Sequence, residues 1–509
     1  RRKPEVNKAI LNAMNDGTLI LNYTGHGAPE FWAHEYVFEF SVAKSQLKND
    51  KYFFLTAATC DFGKFDNTDV QSATEGLLLM KDAGIIAGFT ASRVVYGDAN
   101  AVLNDSFYTN IFKSKDINNL PIRLGKAYML TKQFMTDEND EKFELFGDPS
   151  LRLNMPQLPV SVDSINGKST LLPNQVTALS SVKLKGSVRK TDGKINPING
   201  EVVISFYDSE RLVELKEMSY FVTIPGGLIF KGRATVTNGE YQVDFVVPKD
   251  ISYENKNGKV VAYFAGNNVD GIGVVSNVIV GGTDQNVVND GKGPEIEIFF
   301  DDINYEGSYL VNPNFTLIAK MKDQTGINTT GLGIGHKLEA IINDDNNKIY
   351  DLSNYFVGDL NSGGKSGIIK YPFISMPTGD YKIKVKAWDV FNNPSIQEAL
   401  FTVVSADKGL VIKEVVNYPN PMGSNTTFTF QHNYNSALNV KIKIYTVAGR
   451  MIKQIEEWNV NEKFVRVDWD GRDEDGNQIA NGTYLYKVNV ETADGLYNDN
   501  VLGKLSVIR

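Results

Sequence analysis

The sequence changes character near residue 157, and this change excludes a single uniform architecture. Before that point, short apolar runs alternate with segments of helical periodicity; after it, strand-like segments alternate with turns rich in Gly, Asn and Asp. Because 509 residues exceed one core at roughly 150 residues per domain, several domains are expected. The pattern predicts a multidomain chain in which one α/β domain is followed by all-β domains.

The first predicted domain covers residues 1–156. It contains three apolar runs typical of strands buried on both faces of a parallel sheet: 17–23, 52–58 and 85–89. The segment 75–84 is predicted as a helix that ends at Gly84 as its cap. Apolar residues between 100 and 134 fall at helical spacing and predict two more helices, the second starting at Pro121. Strands alternating with helices indicate an α/β unit.

The rest of the chain is predicted to be all-β. Segments such as 200–207 and 258–264 alternate apolar and polar residues between turns, and no long helix is indicated. Turn-rich linkers near 281–284 and 405–409 divide this part into three predicted domains: 157–284, 285–406 and 407–509. Each has the size of an immunoglobulin-like β-sandwich, which is roughly 100 residues.

Charge and hydropathy limit the classes of function. The net charge of −9, without a basic stripe, argues against nucleic-acid binding, because a backbone binder needs clustered Lys and Arg. No run of about 20 apolar residues occurs, so no membrane-spanning helix is predicted. The chain opens at Arg1 with neither an initiator Met nor a signal peptide, and we expect it to begin within a longer precursor.

Cys60 is the only cysteine in the sequence. It therefore excludes an intramolecular disulfide framework and a thiolate metal cage, and neither a metal nor another cofactor is predicted. Without further context, a single cysteine is most often a small buried apolar residue.

The position of Cys60 suggests chemistry. The predicted strand ending at Tyr23 leads directly to His26, and the strand ending at Ala58 leads directly to Cys60. If these strands are parallel neighbours, both side chains emerge at the same carboxyl edge of the sheet, where open α/β folds place their sites. The imidazole can then take the thiol proton, and the thiolate can attack a carbonyl carbon.

The glycines beside His26 allow two interpretations. They permit a tight turn and close backbone approach, so the amide groups of Gly27 and Cys60 are predicted to face a developing oxyanion. Alternatively, Gly25 and Gly27 serve the turn alone, because His-Gly after a strand is common.

The pattern resembles the gingipain family of the caspase-like clan, in which a His-Gly after one strand and a Cys after the next form the catalytic dyad. The segments 76–80, 90–93 and 146–151 also match. The resemblance implies a caspase-like fold for residues 1–156 and a cysteine peptidase with His26 and Cys60 as its dyad. A gingipain-type domain is longer, so we expect the acid that orients His26 to lie upstream; Glu30 and Glu35 are nearby but unsupported candidates.

The final domain has its own signature. The segments 417–421, 440–450, 469–476 and 481–486 resemble the sandwich of flagellar hook-cap proteins and of the C-terminal sorting domains of type IX secretion cargo. Alternation places Val440, Ile442 and Ile444 on one face of a strand. The pairs Asp470-Gly471 and Asp475-Gly476 supply turns.

Together these features resemble the sortases of the type IX secretion system, which act as C-terminal signal peptidases. The segments 90–96 and 123–127 favour this branch over digestive gingipains, on resemblance alone. It implies removal of the sorting domain from exported cargo and transfer of the new C-terminus to water or to an amine on anionic lipopolysaccharide. It also implies the outer-membrane β-barrel PorV and other attachment-complex subunits as partners, and peripheral attachment to the outer membrane at the bacterial cell surface.

Two other functions remain open. The chain could be a secreted gingipain-like protease whose last domain is its own cleavable export signal, or a non-catalytic surface scaffold or adhesin. An activated Cys60 would react with iodoacetamide near neutral pH, whereas a buried structural cysteine would stay inert.

The remaining polar candidates have simpler explanations. His34, His336 and His432 lack ligand spacing and are predicted to be solvated or hydrogen-bonded surface residues. The acidic strings 300–302 and 343–347 could hold calcium, but solvated turns are favoured. Asp61 and Asp66 either bind a basic group on a substrate or keep their loop exposed to solvent.

Overall fold

The computed structural model describes residues 2–117, 120–135, 137–216, 219–284, 288–303, 309–330, 336–404, 409–434 and 436–509. The chain divides into two compact units, Arg1–Gln157 and Leu158–Arg509. The first unit combines helices with a small sheet, and the second is built from strands, so the protein is multidomain and mostly β. Within the described ranges, no helix is both long and apolar enough to cross a membrane.

The first unit contains helices at Pro4–Asp16 (α1), Phe40–Gln46 (α2), Ala73–Leu78 (α3), Gly97–Lys113 (α4), Leu124–Phe134 (α5) and Glu138–Glu141 (α6). Its strands are Ile20–Thr24 (β1), Gly27–Ala28 (β2), Phe31–Trp32 (β3), Phe38–Glu39 (β4), Phe53–Ala58 (β5), Ile85–Ala91 (β6) and Phe143–Gly147 (β7). The main sheet has the order β1-β5-β6-β7. Its first three strands are parallel, and β7 runs antiparallel to β6.

Strand β5 is buried along its whole length and separates two cores. Phe53, Leu55 and Ala57 pack into a core with residues of α1, α2 and α3. Phe54 and Ala58 pack into another core with residues of α4 and α5. Because successive side chains of a strand point to opposite faces, the sheet lies between two helical layers, which is the arrangement expected of an α/β unit.

Two predicted helices differ from the structure in their limits. The helix predicted over 75–84 is α3, which begins after a capping box at Ser72 and ends at Leu78. It cannot extend to Gly84 as predicted, because Asp82 and Gly84 adopt φ values of 58° and 107°, which a helix cannot contain. The second helix of the 100–134 region starts at Leu124 rather than at Pro121.

Strand β1 also differs from its prediction. Its five residues are half-buried or exposed rather than buried on both faces. It is the edge of the main sheet, since β5 is its only neighbour in the described strand order. An edge strand has one side open to solvent, which explains the exposure.

The second unit contains twenty-seven strands in the described ranges, grouped here by the three hydrophobic cores that they form. The first group is Leu158–Ile165 (β8), Lys168–Ser169 (β9), Asn174–Ala178 (β10), Ser181–Val188 (β11), Gly200–Tyr207 (β12), Arg211–Leu215 (β13), Tyr220–Ile224 (β14), Leu228–Val236 (β15), Glu240–Val246 (β16), Lys256–Gly266 (β17) and Asp270–Thr283 (β18). The second group is Glu295–Phe300 (β19), Tyr309–Val311 (β20), Phe315–Lys322 (β21), Glu339–Ile342 (β22), Ile349–Asp351 (β23), Phe356–Gly358 (β24), Ser366–Phe373 (β25), Gly379–Trp388 (β26) and Pro394–Val403 (β27), with a 3₁₀ turn at Ser353–Tyr355. The third group is Ile412–Tyr418 (β28), Thr426–His432 (β29), Leu438–Thr446 (β30), Met451–Val460 (β31), Phe464–Trp469 (β32), Gly482–Thr492 (β33) and Asn498–Val507 (β34).

The second and third groups each contain two packed sheets. The second pairs β19-β21-β25-β24 with β20-β27-β26-β22-β23, and the third pairs β28-β29-β32 with β31-β30-β33-β34. The first group forms a continuous order, β15-β12-β17-β18-β8-β11-β16, and a separate β13-β14 hairpin. The predicted domain limits at 157, 284 and 406 stay predictions.

The two predicted linkers have different outcomes. Gly281 and Gly282 continue strand β18, because their φ values of 153° and 83° form an irregularity beside β10 instead of a break. The residues 405–408 of the other linker lie outside the described residues.

The terminal sandwich confirms the strand alternation predicted there. Val440, Ile442 and Ile444 are all buried in its core. Gly471 and Gly476 adopt φ values of 69° and 81°, in the region that favours glycine in turns. The alternation and the turn residues therefore predicted the local structure correctly.

His432 corrects the prediction that the isolated histidines lie at the surface, because it is 1% exposed. Its Nδ1 accepts a hydrogen bond from the Tyr434 amide at 3.2 Å, and its Nε2 donates to the Glu462 carbonyl at 2.9 Å. These two bonds require a neutral ring. Burial lowers the pKa of His432 to about 4.

We expect this histidine to make the terminal sandwich sensitive to acid. Between its unfolded pKa of about 6.5 and its folded pKa of about 4, the unfolded state binds the extra proton. The stabilisation is therefore complete above about pH 6.5 and is lost as the pH falls to about 4, by roughly 3 kcal/mol. Hydrogen exchange of the β29 amides at pH 7 and pH 4.5 measures this loss of stability.

The variant His432→Gln, which cannot titrate, should lose most of this pH dependence. The variant His34→Gln changes an exposed histidine in the other unit and should retain it. An unchanged pH profile in His432→Gln would show that the acid sensitivity comes from other groups.

Candidate functional site

The site lies where β1 and β5 end. The two strands are parallel neighbours, and Thr24 lies opposite Ala58 at the last paired position. His26 and Cys60 each follow two residues later, so the chain places both at the carboxyl edge of the sheet. The predicted strand arrangement is thereby confirmed; the catalytic roles of the two residues stay predictions.

The segments that carry these residues touch each other directly. A Cβ atom at Gly27 would overlap the Thr59 hydroxyl, so only glycine allows this approach. The amide of Gly25 donates to the Ala58 carbonyl at 3.3 Å. The contact between Gly27 and Thr59 joins the residue after His26 to the residue before Cys60. Gly27 therefore has a role beyond the turn.

Cys60 is half-buried, and its thiol donates to the Val95 carbonyl at 3.6 Å. Val95 is buried, whereas its neighbours Val94 and Tyr96 are exposed, so the segment that accepts the thiol carries apolar side chains on its surface. Within the described part of the chain, the Cys60 amide has no backbone acceptor. Such an amide is suited to the predicted oxyanion contact.

His26 is held by its backbone and has an exposed side chain. Its carbonyl accepts the Tyr23 hydroxyl at 2.7 Å and the Ala33 amide at 2.7 Å. Its ring meets the ring of His34 edge-on, with centroids 5.9 Å apart. No hydrogen bond joins His26 to Cys60 in the described residues, and hydrogen bonds of catalytic groups often tighten only when substrate binds.

Neither candidate for a third residue contacts the imidazole. Glu30 and Glu35 are exposed, and neither carboxylate accepts a hydrogen bond from the His26 ring in the described ranges. Glu35 instead lies near Tyr23, whose pKa is raised by burial and then by that carboxylate. Neither Glu30 nor Glu35 therefore orients His26 in the described structure.

A buried chain of amides supports this edge of the sheet. Asn139 accepts the Tyr96 amide at 2.7 Å and donates to Asn100 at 3.1 Å. Asn100 donates onward to the Ala58 carbonyl at 3.4 Å. Both asparagines are buried, and the chain they form links the segment that binds the thiol to the end of β5.

Asp66 is occupied by an ion pair. Its carboxylate receives two hydrogen bonds from Arg93, at 3.0 and 2.6 Å, and these lower the pKa of Asp66. The Arg93 carbonyl accepts the amide of Asp61, which adopts a φ of 60°. This fork fixes the loop after Cys60 and favours the loop-positioning explanation for Asp66 over a substrate-reading role.

Several of the other polar candidates also have hydrogen-bond or ion-pair partners within the protein. His336 bonds Asp250 at 2.7 Å, and Asp344 of the 343–347 string pairs with Lys382 and Lys384 at 2.5 and 2.6 Å. Asp301 accepts the Thr316 amide at 2.8 Å. Among the described residues, no group of three or more His, Cys, Asp or Glu is placed to hold a metal ion.

Sequence reasoning missed several residues of this site. The Val95 carbonyl could not be predicted as an acceptor, because every residue type has a backbone carbonyl. Asn100 and Asn139 could not be paired either, because they lie far apart in the sequence. Thr59 has a buried hydroxyl without a hydrogen-bond partner in the described part of the chain. Its position next to the single cysteine was the one signal available.

Comparisons with known proteins give two family matches. Residues 1–154 match peptidase family C25, and residues 420–494 match the FlgD Ig-like domain. No curated protein matches the sequence.

Two solved structures illustrate the structural similarities. The dimeric latent PorU of Porphyromonas gingivalis is 25% identical and is matched over 84% of this chain and 41% of that chain, with a TM-score of 0.32. The native conformation of Escherichia coli alpha-2-macroglobulin is 9% identical over 66% of this chain and 30% of that chain, with a TM-score of 0.16. The chain therefore spans less than half of the PorU chain it matches.

Proposed function

We propose, from the cysteine-peptidase type of function that family C25 gives to residues 1–154, that this chain is part of a cell-surface sortase of the type IX secretion system. It removes the C-terminal sorting domain of exported cargo. The observation that carries the proposal is the placement of His26 and Cys60 after the paired ends of β1 and β5. The caspase-like description of the first unit and the immunoglobulin-like description of the second and third β groups belong to the same proposal.

The first half of the reaction is acylation. His26 takes the Cys60 proton, and the thiolate forms a bond to the carbonyl carbon of the scissile peptide. The amides of Gly27 and Cys60 stabilise the oxyanion. The C–N bond then breaks as His26 returns the proton to the leaving amine, and the cargo stays attached to Cys60 as a thioester.

The second half transfers the acyl group. Water or an amine on anionic lipopolysaccharide attacks the thioester carbon and gives a proton to His26. The C–S bond breaks, the new C-terminus becomes an acid or an amide, and the proton returns to sulfur. The exposed Val94 and Tyr96, on the segment that accepts the thiol, offer an apolar surface for the cargo segment before the cleaved bond.

The terminal domain supports the assignment to secretion. Residues 420–494 match the FlgD Ig-like domain, and the surrounding segments resemble type IX sorting domains. In this proposal the domain is retained and docks the enzyme to the outer-membrane β-barrel PorV and the other attachment-complex subunits. That docking attaches the enzyme peripherally to the outer membrane.

Alkylation tests whether Cys60 is an activated nucleophile. An ordinary thiol is only a few per cent ionised near neutral pH, so its reaction with iodoacetamide is slow there. We expect Cys60 in the native chain to react at least about tenfold faster than free cysteine at pH 6, since His26 supplies a base. Because the chain has one cysteine, the intact mass reports this residue alone.

Two histidine variants show whether a fast reaction comes from activation of Cys60 by His26 or only from exposure of the thiol to solvent. His26→Ala should return the rate to that of free cysteine or below, whereas His34→Ala, which removes the neighbouring imidazole, should keep the fast reaction. A native thiol that reacts only after denaturation would support the scaffold alternative instead.

A further inference from the structure

The terminal sandwich carries a cleft on the solvent-facing side of its four-stranded sheet, with a volume of about 270 Å³. We call it the amide cleft, after the side chains that define it: Asn439, Trp458, Asn489, Glu491, Asn498 and Asn500. It belongs to the second unit and is independent of the proposed peptidase reaction. It is open to solvent and smaller than a typical drug-sized pocket of about 300–1,000 Å³.

The strand register builds the cleft from two rows of side chains. Asn439 of β30 lies opposite Glu491 of β33, which lies opposite Asn498 of β34. In the next row, Asn489 lies opposite Asn500. Between the rows, Val440 and Val490 point into the core, so the polar side chains share the outer face.

The asparagines are unusual for their positions. Asparagine is depleted in strands, and a strand that contains it gains when the amide finds a partner. The side chains of Asn498 and Asn500 make no hydrogen bond within the described residues, and Asn489 makes one long bond, of 3.4 Å, to the Lys441 carbonyl. The cleft therefore presents amide donors and acceptors that the fold does not use.

Trp458 supplies an apolar wall. It lies on β31, between Glu457 and a positive-φ residue, Asn459, and is 62% exposed. The Asn459 amide donates to Asn439 at 3.3 Å, which fixes the backbone that carries the ring. A flat indole beside unpaired amides matches a ligand with one apolar face and a rim of hydroxyl groups, as in a pyranose ring.

The charges select a neutral ligand. Lys441 is paired with Glu456 at 2.7 Å, and Asp499 accepts the Ile412 amide at 2.9 Å. Glu491 has no ion-pair partner in the described part of the chain and leaves the cleft negative. A carboxylate accepts strong hydrogen bonds from hydroxyl groups and repels an acidic sugar.

We propose that the amide cleft binds a neutral oligosaccharide. One sugar ring stacks on Trp458, hydroxyl groups of the adjoining rings bond to Asn489, Asn498 and Asn500, and Glu491 accepts a further hydroxyl. The site would let the terminal sandwich hold a glycan while the catalytic unit acts on protein.

The test uses the full chain and an array of neutral and acidic oligosaccharides that includes cellohexaose, maltohexaose, mannohexaose and a polygalacturonate hexamer. Trp458 is the most exposed of the four tryptophans, so acrylamide quenching reports mainly on it. We expect a neutral hexamer to lower the quenching saturably, by about half. The acidic hexamer should have no effect.

Binding measured by calorimetry should weaken at least about tenfold in Trp458→Ala and in Asn489→Ala. The variant Val447→Ala, an exposed apolar truncation at a distant turn of the same sandwich, should bind normally. The proposal is overturned if no neutral glycan binds, if only acidic glycans bind, or if Trp458→Ala binds as well as the unchanged chain.

Discussion

Replacing Cys60 with alanine should leave the fold intact and stop cargo maturation. The substitution removes one half-buried sulfur atom, so we expect the free energy of unfolding to change by no more than about 1 kcal/mol. Cleavage should fall at least about a thousandfold, because the proposed covalent step uses the Cys60 thiol. Mass spectrometry of cargo from cells carrying the variant should find the sorting domain still attached.

The matched control is Ser45→Ala, a truncation of similar size at an exposed position of α2 in the same unit. Cargo from cells with this variant should end at the normal cleavage point. If cargo matures normally with Cys60→Ala, the peptidase proposal fails. If both variants stop maturation, loss of folding and not loss of the thiol is the cause, and thermal unfolding would show it.

The second large effect is expected for His26→Ala. The side chain is exposed, while its backbone is held by Tyr23 and Ala33, so the turn should survive the substitution. Cleavage should fall as far as with Cys60→Ala, because a dyad acts as a unit. The double variant should then be no slower than either single variant in a cargo-cleavage assay.

His34→Ala is the control for this effect. It removes an exposed imidazole whose ring lies next to that of His26, and cleavage should stay within about twofold of normal. Independent losses that multiply in the double variant would show that His26 acts structurally. Equal losses in His26→Ala and His34→Ala would mean that the pair of rings, not one base, is required.

The sequence predicted the site edge because it depends on strong local signals. Two apolar runs, each followed by a chemically distinctive residue, indicate two strands and the place where each ends, and the site edge followed on the condition that the strands are parallel neighbours. The structure confirms this through the pairing of Thr24 with Ala58. The buried row of Val440, Ile442 and Ile444 followed from alternation for the same reason.

Features that depend on distant contacts were not predictable. His432 was predicted to lie at the surface, yet it is buried together with Gln431 and Asn433, which bond to Glu414 and to the Gly409 carbonyl. The acceptor of the Cys60 thiol is a backbone carbonyl contributed by a later loop. No residue type marks such an acceptor, so only the folded chain reveals it.

The buried amides Asn100 and Asn139 have a consequence for how the first unit responds to heat. Asn139 belongs to α6, a helix of four residues, and through Asn100 it holds both the loop at Val95 and the end of β5. Short helices open at far lower cost than a buried sheet. We therefore expect warming to release the loop at Val95, whose carbonyl accepts the Cys60 thiol, before the sheet melts.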